Sequence, residues 1–482
     1  MLLGVVYHTL VFRMMVGGGP PGPMPPGGAS RYLQDWLHSF RMPLFFLISG
    51  FFGRMMLEKY GTAAYFRKRW ARIGVPLVVG MFTFGPAYIL TRDAVSSGPG
   101  GPGGPPRFGA AAGENADGEM PPPPPGFVPP PLVKFDEDGD GSLSADEWKK
   151  ARAEMEQSFG RGGPPGGRAG GGGFGPPPGG PFGPAGGGLS TRFFGSSSRL
   201  FELHHLWFLW YLLIFVTLAP ILTGGLARIV PARFVAKADG LGSRLIRSGL
   251  APISLGLIAT PALLIVPAMF GWYLGLPGTI FRAFPDFLLH LDPEMAFFGL
   301  FFLAGWWLHR ERSALPSLAG AWPFNFALGL VAFGIAIWLS DTYGRRGPVA
   351  GLSSYRIAGY ALYSISSVAM SFAFMGFFQK YLDRASPVGR YLADTALWVY
   401  LVHQPFVIVG LAALAGVPMP WWALTLAVFI LAVSASLFLY EALVRPTVLA
   451  RWFGPAAAAR ARSEEPAPSM AAVERQLERV GA

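Results

Sequence analysis

Leu206-Trp-Phe-Leu-Trp-Tyr-Leu-Leu-Ile-Phe-Val-Thr-Leu-Ala-Pro-Ile-Leu222 runs for seventeen positions without a charged side chain. At a rise of about 1.5 Å per residue this run covers roughly 26 Å as a helix, close to the roughly 30 Å of a bilayer's hydrocarbon core. A soluble helix would show a polar face at this length, and none is present. The run therefore predicts a membrane-spanning helix. Eight more runs meet or approach the same length: Phe40–Leu57, Gly74–Leu90, Leu250–Tyr273, Met295–His309, Pro323–Leu339, Ile357–Gln379, Ala393–Ala415 and Trp421–Val444. A tenth, Met1–Val16, reaches only about 24 Å. It reads as a helix cut at its N-terminus, with the true start expected upstream.

Composition agrees. Half of the 482 residues are hydrophobic and 14% are charged, against roughly a quarter charged in soluble proteins. The predicted fold class is thus an all-α integral membrane protein of about ten transmembrane helices, with the lipid bilayer as its main partner. The net charge of +11 fits an anionic membrane surface and calls for no nucleic acid. There is no cysteine, so disulfides and thiolate chemistry are excluded. No P-loop, zinc pattern or dinucleotide fingerprint occurs, which removes nucleotide hydrolysis, metallopeptidase and hydride-transfer activities. No cleavable signal peptide is visible.

Ten spans place both termini on one side. Basic residues collect in one set of loops, among them Arg54, Lys59, Arg67–Arg72, Arg228, Arg233, Lys237, Arg244, Arg247, Arg310, Arg312 and Lys380. The opposite short loops carry only Arg31, Arg41, Arg282, Arg345, Arg346 and Arg356. By the positive-inside rule the termini are cytoplasmic, in an inner-membrane topology. The chain divides into residues 1–90 with three helices, a Gly/Pro-rich insert over 91–201, residues 202–450 with seven helices, and a cytoplasmic tail over 451–482. The insert falls in the periplasm or outside, and its arms have too little apolar surface to fold.

Within the insert, Asp136-Glu-Asp-Gly-Asp-Gly-Ser-Leu-Ser-Ala-Asp-Glu147 matches the twelve-residue EF-hand loop. Asp136, Asp138 and Asp140 supply oxygens, Ser142 a backbone carbonyl and Ser144 a water-mediated contact, and Glu147 closes the shell bidentately. Trp148–Met155 reads as the exiting helix. The expected cofactor is calcium, held weakly because no second loop pairs with this one. The plain alternative is an acidic, solvated turn.

Ionisable residues inside spans are costly and mark function by default. His8 lies in the middle of the first span, as a packing histidine or a general base. His205 and His403 sit near span ends, where interfacial anchoring and chemistry explain them equally. His204 and His309 read as interfacial, and His38 and His290 as residues of outer loops. Ser49-Gly50 reads as a close-packing pair or a nucleophile, although no G-x-S-x-G elbow accompanies it. Arg67-Lys-Arg-Trp-Ala-Arg72 is either a positive-inside anchor or a grip for phosphates.

Five segments in order resemble the acyltransferase 3 family of membrane O-acyltransferases. Val5-Val-Tyr-His8 resembles the end of its first-helix Arg-x10-His signature, and Phe40-Arg-Met-Pro-Leu-Phe-Phe-Leu-Ile-Ser-Gly-Phe-Phe52 its second helix. Arg69-Trp-Ala-Arg72, His205-Leu-Trp-Phe-Leu209 and Tyr400-Leu-Val-His-Gln-Pro405 are similar to its later motifs. The wording is most similar to the family's glucan biosynthesis protein C branch, linked to succinylation of periplasmic glucans. The signature Arg or Lys would fall before Met1. The resemblance implies transfer of an acetyl, succinyl or similar group from cytoplasmic acyl-CoA to a hydroxyl of an extracytoplasmic carbohydrate. It implies His8 as catalytic base, Arg69 and Arg72 near the donor's phosphates, and His205, Trp207 and His403 lining the site. A transporter of a polar solute or glycan is the alternative, though its usual internal repeats are not apparent. A calcium-responsive surface module anchored by the spans ranks last.

Overall fold

Long uncharged runs leave backbone hydrogen bonding within each segment as the only way to satisfy amides in lipid, so helices are obligatory. The computed structural model describes residues 1–16, 28–97, 135, 144, 146–150, 198, 200–265, 282–343, 354–382, 386–415, 417–447 and 449–453. Among the described residues there is no strand, only an isolated bridge between Glu202 and Ala283. The helices are α1 (Leu2–Val16), α2 (Ala29–Arg69), α3 (Val75–Ser97), α4 (Trp207–Ile229), α5 (Ala232–Arg247) and α6 (Ala251–Leu264). They continue as α7 (Glu294–Arg310), α8 (Leu315–Tyr343), α9 (Ser354–Tyr381), α10 (Pro387–Ala413), α11 (Trp421–Leu439) and the short α12 (Ala450–Phe453).

Among the described residues, six helical stretches are long and apolar enough to cross a membrane, or seven if the bent pair α5–α6 forms one span. The chain therefore spans a membrane several times, and six or seven of the described stretches meet this length where the hydropathy reading counts ten runs. The differences have local causes. Phe40–Leu57 and Gly74–Leu90 lie in one helical stretch of 67 residues, which would be about 100 Å long if straight. Gly61 breaks it at φ 74° and ψ 170°, a conformation open to glycine alone at little cost. Met1–Val16 and Met295–His309 form α1 and α7, of 15 and 17 residues, short for a span. Of Leu250–Tyr273, only residues 250–265 are described.

Two segments read as loops are helical. α2 begins at Ala29, so Arg31, His38 and Arg41 are helix residues. Arg31 pairs with Asp341 at 2.9 Å and with Asp35 at 3.5 Å, and the Tyr32 hydroxyl donates to Asp341 at 3.1 Å. These partners let a polar first turn continue the helix. The basic stretch after α4 folds into α5, turned by 118° from α6. Asp239 of α5 accepts from the Trp307 indole at 3.0 Å and pairs with Arg310 at 2.7 Å. Phe234 and Leu241 stay exposed on α5, the pattern of a helix lying along a membrane surface.

The core is aromatic. Phe46 of α2 meets Phe208 and Phe215 of α4 and Phe298 of α7, with ring centroids 4.9–5.2 Å apart. α2 and α7 approach through glycine. A Cβ on Gly50 would strike the Phe302 carbonyl, and one on Gly305 would strike that of Leu47. Without a hydrophobic drive in lipid, such close backbone contact is what holds helices together. Ser49-Gly50 thus sits where the packing reading put it.

Of the EF-hand residues, Asp136, Asp138, Asp140 and Ser142 lie outside the described residues, as do most of the insert and residues 454–482 of the tail. Ser144 and Glu147 are described. The Ser144 amide and hydroxyl donate to Glu147 Oε2 at 2.8 and 2.6 Å. This is a capping box at the start of the helical turn 146–150.

Candidate functional site

Four helices and one turn bring residues to a common cavity. α1 supplies Gly4 and His8, α2 supplies Arg41, Met42 and Phe45, and α10 supplies Tyr400 and His403. The turn His204–Leu206 that opens α4 adds His205, followed by Trp207 and Phe208. His204 takes φ 43°, a left-handed conformation that costs a β-carbon-bearing residue about 1 kcal/mol or more. It turns the chain so that His205 and Trp207 reach the cavity. The space open to water centres is about 60 Å³, enough for a few waters.

The centre is a histidine pair. His8 Nδ1 and His403 Nε2 lie 2.7 Å apart, with the rings stacked at 5.0 Å. His403 Nδ1 lies 2.9 Å from the carbonyl oxygens of both Val399 and Tyr400. Carbonyl oxygens only accept, so His403 Nδ1 carries the proton. A neutral His403 then presents Nε2 as an acceptor, and His8 Nδ1 must donate to it. This leaves the lone pair of His8 on Nε2. The hydrogen positions follow from the network.

The surroundings hold this arrangement. His403 is 1% exposed and His205 5%, with their rings 5.8 Å apart. The Tyr400 hydroxyl donates to the His205 carbonyl. Pro405 lies inside α10 and has no amide hydrogen for the carbonyl four residues back. That carbonyl belongs to Leu401, and both ring nitrogens of His205 and Oε1 of Gln404 are buried nearby without hydrogen-bond partners.

Arg41 is 6% exposed. Its guanidinium lies 4.0 Å over the Tyr7 ring, and Nη1 is 3.5 Å from the Gly4 carbonyl. Sequence reading missed this residue as a site member because it counted Arg41 among loop charges. The available signal was its place inside the Phe40–Phe52 motif, three residues after His38, which stacks on Tyr7 at 5.4 Å.

The structure brings together four of the sequence candidates, His8, His205, Trp207 and His403. Arg69 and Arg72 do not line the cavity. Arg69 ends α2, where buried Tyr65 donates to the Val216 carbonyl at 3.0 Å. Val216 lies nine residues beyond Trp207 on α4, about 14 Å along the helix. Arg69 Nε and Nη2 are buried without hydrogen-bond partners, while Arg72 is exposed. His204, His290 and His309 do not line the cavity. His309 is buried 3.6 Å from Glu58, His204 is 3.8 Å from Glu202, and His290 is exposed.

Comparison with known proteins follows this geometry. Residues 1–441 match the acyltransferase domain of the acyltransferase 3 family. Proteins described as "Glucans biosynthesis protein C" from Salmonella paratyphi B, Salmonella heidelberg and Salmonella agona are each 29% identical over 94 residues. That alignment takes in 19% of this chain and 24% of each relative, so the chain spans about a quarter of the curated relatives it matches. No solved structure matches. The family match runs through α1, α2, α4 and α10, the helices that build the histidine cavity, and the chain belongs to the acyltransferase 3 family.

Proposed function

We propose that this acyltransferase moves an acetyl, succinyl or similar group from cytoplasmic acyl-CoA to a hydroxyl of an extracytoplasmic glycan. The observation that carries the reading is the hydrogen-bonded His8–His403 pair, oriented from behind by two carbonyls and open to a cavity. His8 Nε2 takes the proton of the acceptor hydroxyl as its oxygen attacks the thioester carbonyl. The carbon–sulfur bond then breaks, its electron pair goes to sulfur, and the imidazolium returns the proton to the leaving thiolate. His403 holds His8 in the tautomer that can do this. His205 and Trp207 line the acceptor side.

The same reading sets the topology. With α1, α6 and α7 counted as spans and two spans within residues 29–95, the chain crosses an inner membrane ten times. The termini and Arg69–Arg72 are then cytoplasmic, and the insert is periplasmic or outside. A phosphate-bearing donor would dock at Arg69 and Arg72 and extend its thioester arm to the histidines. The test of the reaction is label transfer from radiolabelled acetyl-CoA and succinyl-CoA to glycans in membranes containing the protein. Label on glycan supports the reading, and no transfer from either donor by folded protein overturns it.

Arg69 has its own expected result. A hydrogen bond to a charged group contributes about 1.5–3 kcal/mol. Arg69→Gln should therefore raise KM for acyl-CoA by roughly tenfold to 100-fold with kcat little changed. A KM within about twofold of the parent would return Arg69 to the role of a charge anchor.

Calcium is proposed for the insert. Ser144 fixes one oxygen of the Glu147 carboxylate, so the group that would close the coordination shell is already oriented, and hard oxygen donors suit this cation. An unpaired loop outside the cell should bind it with Kd on the order of 10⁻⁴–10⁻³ M. Titration calorimetry of the full chain should show one such site, abolished in Glu147→Gln. Equal heats from the two proteins would leave the segment as a solvated turn.

A further inference from the structure

Arg41 carries a charge into the cavity with no anion to meet it. Its Nε is buried without a hydrogen-bond partner, and its contact with the Gly4 carbonyl is long at 3.5 Å. Among the described residues no carboxylate pairs with it. The acids near α2 are engaged elsewhere, Asp35 and Asp341 with Arg31 and Glu58 with Arg54. An unpaired buried charge is destabilising, so a protein that keeps one gains something when negative charge arrives. The Tyr7 ring covers one face of the guanidinium, and Arg41 lines the same cavity as His8, His205 and His403.

We propose that Arg41 is a catalytic residue that holds the oxyanion of the tetrahedral intermediate. This rests on the acyl-transfer reading and assigns a group that reading leaves unnamed. When the acceptor oxygen bonds to the thioester carbon, the carbonyl π pair moves onto oxygen, and the hydroxyl proton passes to His8 Nε2. The new negative charge forms in a cavity walled by Met42, Phe45 and Phe208, where a fixed cation stabilises it far more than water would. The guanidinium fork presents two N–H groups to one oxyanion. As the carbon–sulfur bond breaks, the pair returns to the carbonyl and the charge leaves on sulfur, which His8 protonates.

The test compares purified parent protein with Arg41→Gln, Arg41→Lys and His8→Ala in proteoliposomes, by initial rates of acyl transfer. Thermal melting in detergent first establishes that each variant is folded. Arg41→Gln should lower kcat by about 10²–10³, the effect of removing one oxyanion donor, with KM for acyl-CoA and for acceptor within about twofold. Arg41→Lys keeps the charge but loses the fork and should fall between parent and Arg41→Gln. A raised KM with unchanged kcat would mean that Arg41 binds an anion of the ground state, and would overturn the assignment. Equal losses in Arg41→Lys and Arg41→Gln would assign it to packing and overturn it as well. Failure of the underlying reading looks different. The folded parent would then transfer no label at all, or His8→Ala would keep its activity, whatever Arg41 does.

Discussion

Replacing His8 with alanine is expected to lower kcat for acyl transfer by about 10²–10⁴, the usual contribution of a positioned general base. The expectation follows from the proton count in the pair. Two carbonyls claim the Nδ1 proton of His403, His403 Nε2 claims that of His8, and this leaves a lone pair on Nε2 of His8, which lines the cavity. His8→Gln keeps size and polarity but cannot take up a proton, so it should be as impaired as alanine. That second variant matters because His8 also stacks on Phe12 at 5.7 Å, and alanine could loosen α1. Both should leave KM for acyl-CoA nearly unchanged, since the base acts in the transition state and not in donor binding. The measurement is label transfer to acceptor by protein of matched melting temperature. Activity within about threefold of the parent in His8→Gln would remove His8 from the chemistry.

The fold was legible where physics is local. Each described span contains a mainly apolar run, because a chain in lipid has no other way to satisfy its amides. Helix starts were not legible. Hydropathy stops at Phe40, yet α2 starts at Ala29 because Arg31 and Tyr32 find Asp341 on α8, 310 and 309 residues away. The same blindness made α5 a loop, since its polar face is held by Trp307 and Arg310 of α7. The span count rests on composition, which reads helices of 15 and 17 residues as crossings and divides one long helical stretch, broken at Gly61, into two runs.

The candidate site divides in the same way. Histidines inside spans stand out because their cost demands a reason, which pointed to His8, while His205 and His403 read equally as anchors near span ends and entered the site through the family resemblance. Their arrangement was beyond reach, since the contact at its centre joins residues 395 positions apart. Arg41 was overlooked because an arginine at the head of an apolar run is usually an interfacial charge. Only the packing of α1 and α10 over it turns that charge inward. The capping of Glu147 by Ser144 is a local signal that the EF-hand spacing already contained.

His403 is expected to separate orientation from proton transfer. A histidine whose neighbour no longer accepts from Nδ1 is free to put its proton on Nε2, where it cannot act as a base. His403→Leu removes the acceptor with little change in volume and should lower kcat by about 10², at the lower end of the range for a misoriented base. His403→Gln places an amide oxygen near the position of Nε2 and can accept the His8 proton, so it should recover most of the loss. His403→Asn reaches only the Nδ1 position and should not. A purely structural histidine would not sort glutamine from asparagine in this way. The double variant His8→Ala/His403→Leu supplies the sharper test, because residues that act as one unit are not additive. Once His8 is gone, removing His403 should cost little more, so the double variant should match His8→Ala within about threefold. Independent losses that multiply would mean that His403 acts on the substrate itself, with the 2.7 Å contact incidental to its role.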